Sequence, residues 1–332
     1  MIALTGGGTG GHLAVVKAIK DSLDSKPIFI GSSGGQDMAW FADDDGFKER
    51  YFLDSFGVMN RRGIYKLFSI INIFLLTIKT IKIFKKHRIK TVLSVGGYSA
   101  APAVFAAIVT RKKLYIHEQN ATMGTLNKIA KPFAKELFSS FAQRSICKDY
   151  PVAKEFFASK RIRSRVKTVI FLGGSQGARA INDFALDLAL TLKEKNINII
   201  HQTGKSDLQR VKEFYRSHEI SATVFDFDKN ILPHITKADL AICRSGAGTL
   251  FELTANGLPA VFVPYPFAAG NHQLANANFL ANKNLGWVNK ESDLMASKVA
   301  KLLETNLDEI SSGLIDLIKP NGAKCIAKTI AL

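Results

Sequence analysis

Short apolar runs that break into glycine clusters and restart as helices constrain this chain more than anything else in it. Ile2-Ala3-Leu4-Thr5 runs into Gly6-Gly7-Gly8, and a helical pattern, HLAVVKAIKDSL, begins just after Gly11. Val169-Ile170-Phe171-Leu172 runs into Gly173-Gly174-Ser175-Gln176-Gly177, followed by ARAINDFALDLALTLKEK. Glycine permits the tight turn and the close backbone approach that a phosphate at a helix amino terminus needs. Further apolar runs at 27–31, 91–95, 114–116, 197–201, 240–243 and 259–264 alternate with helical patterns. Buried strands alternating with helices predict parallel sheets covered on both faces. The pattern opens twice, and 332 residues suffice for two domains. The expectation is an α/β chain of two Rossmann-like halves meeting at a cleft, divided near residues 150–166, with ligands outside the carboxyl ends of the strands.

Charge adds a partner class. Lys and Arg total 45 against 28 Asp and Glu, a net charge of +17. That excess argues for an anionic partner: nucleic acid, an anionic membrane surface or a phosphorylated substrate. It is concentrated, because no acid occurs between Ser55 and His117, a stretch with twelve cations that include Arg61, Arg62, Lys66, Lys79, Lys82, Lys85, Lys86 and Arg111. Inside it, Leu67 to Ile78 is a 12-residue apolar run, too short for the roughly 20 residues that span a bilayer. Two readings stand: a core helix whose apolar half (Leu67, Ile70, Ile71, Phe74, Leu75, Ile78) covers a sheet, or an interfacial helix dipping that half into lipid. The amino terminus lacks the basic and long apolar regions of a signal peptide. Apolar residues at 47% exclude disorder. Three scattered cysteines, Cys147, Cys243 and Cys325, form no CxxC and predict no disulfide scaffold, which fits a reducing cytoplasm.

The loops carry the candidate chemistry. Gly6-x-Gly8-x-x-Gly11 satisfies the dinucleotide fingerprint literally, but no acid ends the second strand and Asp37 comes late. His12 stands where a P-loop needs its lysine. Ser175-Gln176-Gly177 is a second polar nest at a helix start, and Ser245 to Glu252 a third, with Glu252 placed for a ribose diol. Asn271-His272-Gln273 suits hydroxyl recognition. The strings Asp43-Asp44-Asp45 and Asp226-Phe227-Asp228 are the only metal–diphosphate candidates; such strings are common by chance, and no metal is expected.

Taken together, Gly6 to His12, His117-Glu118-Gln119-Asn120, Gly173 to Ala178, Cys243 to Ala247, and Glu252 through Gly257-Leu258-Pro259 to Gln273 resemble the MurG family in order and spacing. The resemblance covers nearly the whole chain. It implies a GT-B fold, with an acceptor- and membrane-associated domain at 1–155 and a UDP-GlcNAc-binding domain at 156–332, the last helix packing back on the first. It implies inverting transfer of N-acetylglucosamine from UDP-GlcNAc to the C4 hydroxyl of muramic acid in lipid I, and the acid-free basic stretch then reads as holding a cytoplasmic enzyme against the anionic surface of the inner membrane. By motif, Thr9, Gly10 and Gly11 face the donor diphosphate and the acceptor, Asn120 positions the sugar, and Ser175 with Gln176 meets the diphosphate. The backbone at Phe227 and Asp228 borders the uracil. Ala247, Gly248, Thr249, Leu250 and Phe251 hold the diphosphate side of UDP, Glu252 the ribose and Gln273 the sugar hydroxyls. One departure stands out: the family's Asn-Pro-Val-Arg reads Tyr150-Pro151-Val152-Ala153 here, with Lys154 next.

An inverting transfer needs a base for the attacking hydroxyl. His12 is the first candidate, since neutral imidazole is available at pH 7, and Glu118 is its rival. Backbone N–H groups at helix starts would meet the diphosphate without a metal or other cofactor. Competing readings are another GT-B enzyme such as a UDP-GlcNAc 2-epimerase, and a basic nucleic-acid-binding protein. The chain lacks zinc-ligand spacing, an RRM signature and a helix-turn-helix pattern, so no nucleic-acid partner is expected.

Overall fold

The computed structural model describes residues 1–57, 63–174 and 176–332, with the backbone alone at 64 and 66. The chain divides into two compact units, one of Met1–Val152 with Pro320–Leu332, the other of Ala153–Lys319.

The first unit runs β1 (Ile2–Thr5), α1 (Gly10–Lys20), β2 (Ile28–Ser32), α2 (Asp37–Phe41), β3 (Glu49–Leu53), α3 (Ile64–Lys86), β4 (Thr91–Ser94), α4 (Ala101–Val109), β5 (Lys113–His117), α5 (Thr125–Ala130) and β6 (Glu136–Phe138). All pairings are parallel, in the order β3-β2-β1-β4-β5-β6. The second unit runs α6 (Lys154–Ala158), β7 (Thr168–Leu172), α7 (Arg179–Glu194), β8 (Asn198–Gln202), α8 (Leu208–Ser217), β9 (Ala222–Phe225), α9 (Leu232–Lys237), β10 (Leu240–Cys243), α10 (Ala247–Asn256), β11 (Ala260–Phe262), α11 (His272–Ala281), β12 (Trp287–Val288), α12 (Ala296–Leu302) and α13 (Asp308–Leu317). Its sheet, β12-β11-β10-β7-β8-β9, repeats the same order read from the other edge. Each unit therefore has a Rossmann switch point, β1/β4 in one and β7/β10 in the other, and glycine loops follow all four of those strands.

Central strands are buried on both faces: Ala3, Leu4, Val92 and Leu93 in one sheet, Ile170, Phe171, Ala241 and Ile242 in the other, all have no exposed surface. The strands absent from the sequence reading are the four edge strands β3, β6, β9 and β12. They are mostly half-buried and so lack the continuous apolar run.

The closing helix α14 (Gly322–Ala331) belongs to the first unit, packed on α1 and β4. Cys325 on it is bonded to Cys147, with Cα atoms 5.8 Å apart. The sequence predicts no disulfide scaffold; one bond forms all the same, between cysteines 178 residues apart that the fold brings together. Cys243 stays free and buried.

Helix α3 corrects one further expectation, its length, and bears on the two readings left open for its apolar half. It is 23 residues long, so by length and composition its Leu67–Lys86 portion is sufficient to cross a membrane. Its orientation is also the reverse of a core helix. Phe74 is 64% exposed, and Leu67, Phe68, Ile70, Ile71, Leu75 and Ile78 are exposed with it. Ser69, Thr77 and Thr80 are buried instead. Their hydroxyls donate to the carbonyls of Tyr65, Ile73 and Leu76 one turn back, at 3.0, 2.7 and 2.8 Å, so burying them leaves no unpaired donor. Ile83 and Phe84 fasten the carboxyl-terminal end into the core of the unit.

Candidate active site

In the first unit the loop after β1 is built on a carboxylate. Asp37, fully buried at the start of α2, accepts hydrogen bonds from the N–H of Gly8 (2.5 Å) and of Ser32 (2.8 Å). A side chain at Gly7 or Gly31 would strike that carboxylate. Burial pushes the Asp37 carboxyl above its ordinary range, against the two N–H donors. In sequence this acid comes too late for a ribose; in the fold it holds the loop instead. Thr9 then caps α1 in an extended conformation, and Gly10 and Gly11 form its first turn. The Thr9 hydroxyl turns to His12, its Oγ1 2.9 Å from Nδ1.

Glu118 follows β5 and is buried. Its carboxylate accepts from the N–H of Asn120 (3.0 Å), the N–H of Gly124 (2.9 Å) and Nδ2 of Asn127 (2.8 Å). It thus clamps the 118–127 loop, and Asn120 is held through its backbone. His117 beside it is buried, and desolvation, with His12 nearby, lowers its pKa to about 3, so it is neutral. Tyr150, from the string that departs from the family motif, is buried edge-on against the His117 ring and donates to Gln119 Oε1 at 3.4 Å. Lys154 is exposed at the start of α6.

In the second unit, Ser175 lies outside the described residues and Gln176 is exposed. Gly177 is pressed onto the end of β8, where it meets the Thr203 carbonyl too closely for any side chain. Asn182 fixes that contact, donating to Thr203 O at 3.0 Å and to Asp207 at 2.7 Å, while Arg210 grips Asp207 with two nitrogens.

The loop after β10 is tied to α11. Ser245 Oγ donates to the Gln273 carbonyl (2.8 Å), Asn276 Nδ2 to the Ser245 carbonyl (3.1 Å), and the Tyr265 N–H to Gln273 Oε1 (2.9 Å). Gly246 caps α10, leaving the first-turn N–H groups at Ala247, Gly248 and Thr249 pointing out of the helix start. Leu250 and Phe251 have fully buried side chains, and Leu250 N–H donates to Gly246 O at 2.9 Å. The N–H groups ahead of them can meet a phosphate; these two residues serve the core. Glu252, one turn further, is partly buried, and desolvation pushes its carboxyl up to about 7.

The aspartate strings have local roles. Asp44 pairs with Lys20 at 2.6 Å. Asp228 accepts from Asn230 N–H (2.8 Å) and lies 3.2 Å from His234, while Phe227 is exposed. Among the described residues no three His, Cys, Asp or Glu side chains gather as metal ligands. Arg163 is another residue the sequence did not single out: fully buried, it donates to the carbonyls of Asn256, Ala238 and Ile235 and to Asn256 Oδ1, and burial lowers its pKa to about 9.

Comparison with known proteins agrees with this architecture. Residues 2–139 match the glycosyltransferase family 28 N-terminal domain, and residues 168–329 match the family 28 C-terminal domain. The chain is 49% identical to the UDP-N-acetylglucosamine–N-acetylmuramyl-(pentapeptide) pyrophosphoryl-undecaprenol N-acetylglucosamine transferase of Campylobacter fetus, over 99% of both chains. It is 49% identical to the transferase of the same name from Wolinella succinogenes, again over 99% of both. The crystal structure of Acinetobacter baumannii MurG superposes with a TM-score of 0.79 at 25% identity, covering 99% of this chain and 98% of that one. A UDP-GlcNAc 2-epimerase from Neisseria meningitidis shares the fold alone, at a TM-score of 0.63 and 10% identity over 99% of both chains. Two six-stranded parallel units of GT-B type, matched end to end by such relatives, place the chain in the MurG family of glycosyltransferases.

Proposed function

We propose that this chain transfers N-acetylglucosamine from UDP-GlcNAc to the C4 hydroxyl of the MurNAc-pentapeptide of lipid I, forming lipid II and UDP with inversion. The observation that carries the reading is 49% identity along the whole chain to enzymes named for that transfer. It is a membrane-associated glycosyltransferase of peptidoglycan precursor synthesis, with UDP-GlcNAc and a lipid-linked acceptor as substrates.

In this reading the first unit takes the acceptor. His12 is the base: its Nδ1 lies 2.9 Å from Thr9 Oγ1, and in the tautomer whose Nδ1–H donates to that hydroxyl Nε2 carries the lone pair for the attacking hydroxyl. Neutral His117 adds no competing positive charge. Glu118, already accepting three hydrogen bonds, holds the loop of Asn120, which favours His12 over it as base. Thr9, Gly10 and Gly11 open α1 toward anionic substrate groups.

The second unit takes the donor. The N–H groups of Ala247, Gly248 and Thr249, with Ser175 and Gln176, meet the diphosphate as fixed dipoles, so no metal is needed to hold the leaving UDP. Glu252 accepts from the ribose hydroxyls. Phe227 and Asp228 border the uracil through their backbone. Gln273, whose Oε1 is used by Tyr265 N–H, offers Nε2 to sugar hydroxyls.

Helix α3 seats the enzyme on the cytoplasmic face of the inner membrane. Its apolar face points outward while its hydroxyls point inward, the arrangement expected of a helix whose second solvent is lipid. Exposed Lys79, Lys82 and Lys85 suit anionic headgroups. Burial of Thr80, Ile83 and Phe84 within the unit favours lying on the bilayer over crossing it. The cations Arg61 and Arg62 lie outside the described residues.

The test is transfer of labelled N-acetylglucosamine to a lipid I analogue, with and without EDTA. Product with the mass of the disaccharide lipid, unaffected by EDTA, is the expected result. Release of a 2-epimer in place of transfer sinks the reading.

A further inference from the structure

Gly96, just after β4, has φ +88°. The space a β-carbon would take there has as its nearest neighbours Asn127 Nδ2 at 3.4 Å, His12 Nε2 at 3.5 Å and Asn127 Oδ1 at 3.8 Å. The Asn127 amide is oriented from behind, because its Nδ2 donates to Glu118 Oε2 at 2.8 Å. The reverse orientation would set an amide oxygen against a carboxylate. Its Oδ1 is consequently a fixed acceptor. The residue is only 4% exposed, and among the described residues Oδ1 has no hydrogen-bond partner. Buried acceptors without partners are uncommon, and each calls for an explanation.

The glycine supplies one. With no side chain at position 96, His12 Nε2 and Asn127 Oδ1 border the same small space: one suited to take a proton, the other able only to accept a hydrogen bond. A ligand serving both must carry two neighbouring donors, as a sugar ring does. On a muramic acid ring the C3 oxygen is an ether, so the free hydroxyl nearest C4 is that on C6.

We propose that Asn127 is a binding residue for the acceptor sugar, its Oδ1 accepting a hydrogen bond from the C6 hydroxyl while His12 faces the C4 hydroxyl. The assignment rests on the acceptor reading given above. It gives the Glu118 carboxylate a defined task, which is to present Asn127 in one orientation.

The experiment measures kcat and acceptor KM for the wild type and Asn127→Ala, each with a lipid I analogue and with its 6-deoxy counterpart. The wild type is expected to lose about fivefold in kcat/KM on the 6-deoxy acceptor, the worth of one hydrogen bond. Asn127→Ala should lose a similar factor on the parent acceptor and almost nothing further on the 6-deoxy one, with UDP affinity within twofold of wild type. Independent, multiplying losses overturn the proposal. Should Asn127→Ala fail to fold, the wild type alone decides: equal kcat/KM for the two acceptors overturns it. Absence of any transfer to the parent acceptor is a different failure, that of the functional reading, and removes this proposal with it.

Discussion

Thr9 Oγ1 sits 2.9 Å from His12 Nδ1, three residues apart across the first turn of α1. A cap residue usually spends its side chain on the helix N–H groups; Thr9 makes no such bond. The imidazole is oriented at the cost of a cap. Thr9→Val should therefore lower kcat by roughly ten- to a hundredfold, within the range for a general base that is present but misoriented. His12→Ala should lower it further, and UDP binding by either variant, followed by calorimetry, should stay near wild type. A His12→Ala enzyme with wild-type turnover refutes the base assignment.

The proposed ribose role of Glu252 would make donor binding depend on pH. Its carboxyl titrates at about 7 in the free protein, and ribose hydroxyls donate to the ionised form. Affinity for UDP should rise as pH goes from 6 to 8, by about fivefold. Glu252→Gln should lack this component, leaving only the titration of UDP itself. The stability effect has the opposite sense. A folded-state pKa above the unfolded one means that the unfolded chain binds fewer protons between pH 4.5 and 7, so stability falls across that window and stays low above it. Glu252→Gln should accordingly melt higher than wild type at pH 8 while binding UDP less tightly.

The outward face of α3 is open to a direct test. Replacing Phe74 and Leu75 with Glu should reduce partition onto anionic vesicles at least tenfold, since each large side chain is worth about 1.5–3 kcal/mol on transfer from water. Raising salt from 0.15 to 1 M should weaken wild-type binding in part, screening the lysines but not the apolar contact. UDP binding unaffected by the substitutions would show that the variant is folded. Undiminished vesicle binding would remove α3 from the membrane reading.

What the sequence disclosed follows burial. Central strands are apolar along their length because both faces are covered, so β1, β4, β7 and β10 stand out, each with its glycines. Edge strands such as Ala222–Phe225 are covered less, and their composition resembles that of loops. The apolar half of α3 was visible too, but which half faces inward was not: hydroxyls bonded to their own helix carry no pattern that marks them as buried. In the proposed site, the loops that carry Thr9, His12 and Glu252 stand out by their local motifs. Asp37 and Asn127 were not, because each acts on a segment that folding brings to it, 29 residues away for Gly8 and 9 for Glu118.

Asp37 sets the stability of the first loop. Asp37→Ala would leave the buried Ser32 N–H and the partly buried Gly8 N–H without their acceptor, at about 1–3 kcal/mol for the buried one. Chemical denaturation should register a loss in that range or above. Hydrogen exchange at Gly8 and Ser32 should accelerate more than exchange in the second unit. Unchanged exchange at both amides would mean that another group holds the loop.

The bond between Cys147 and Cys325 has a topological consequence. Both cysteines lie in the first unit, and the chain leaves that unit after Val152 and re-enters it at Pro320. Every residue of the second unit is therefore strung on a covalent ring, closed inside its neighbour. A single peptide cut anywhere on that ring leaves one connected molecule until a reductant opens it. The amino-terminal unit cannot be obtained by truncating the gene after residue 152, since its last helix is encoded beyond the whole of the other unit. In the order of translation, the half that carries His12 is begun first and finished last.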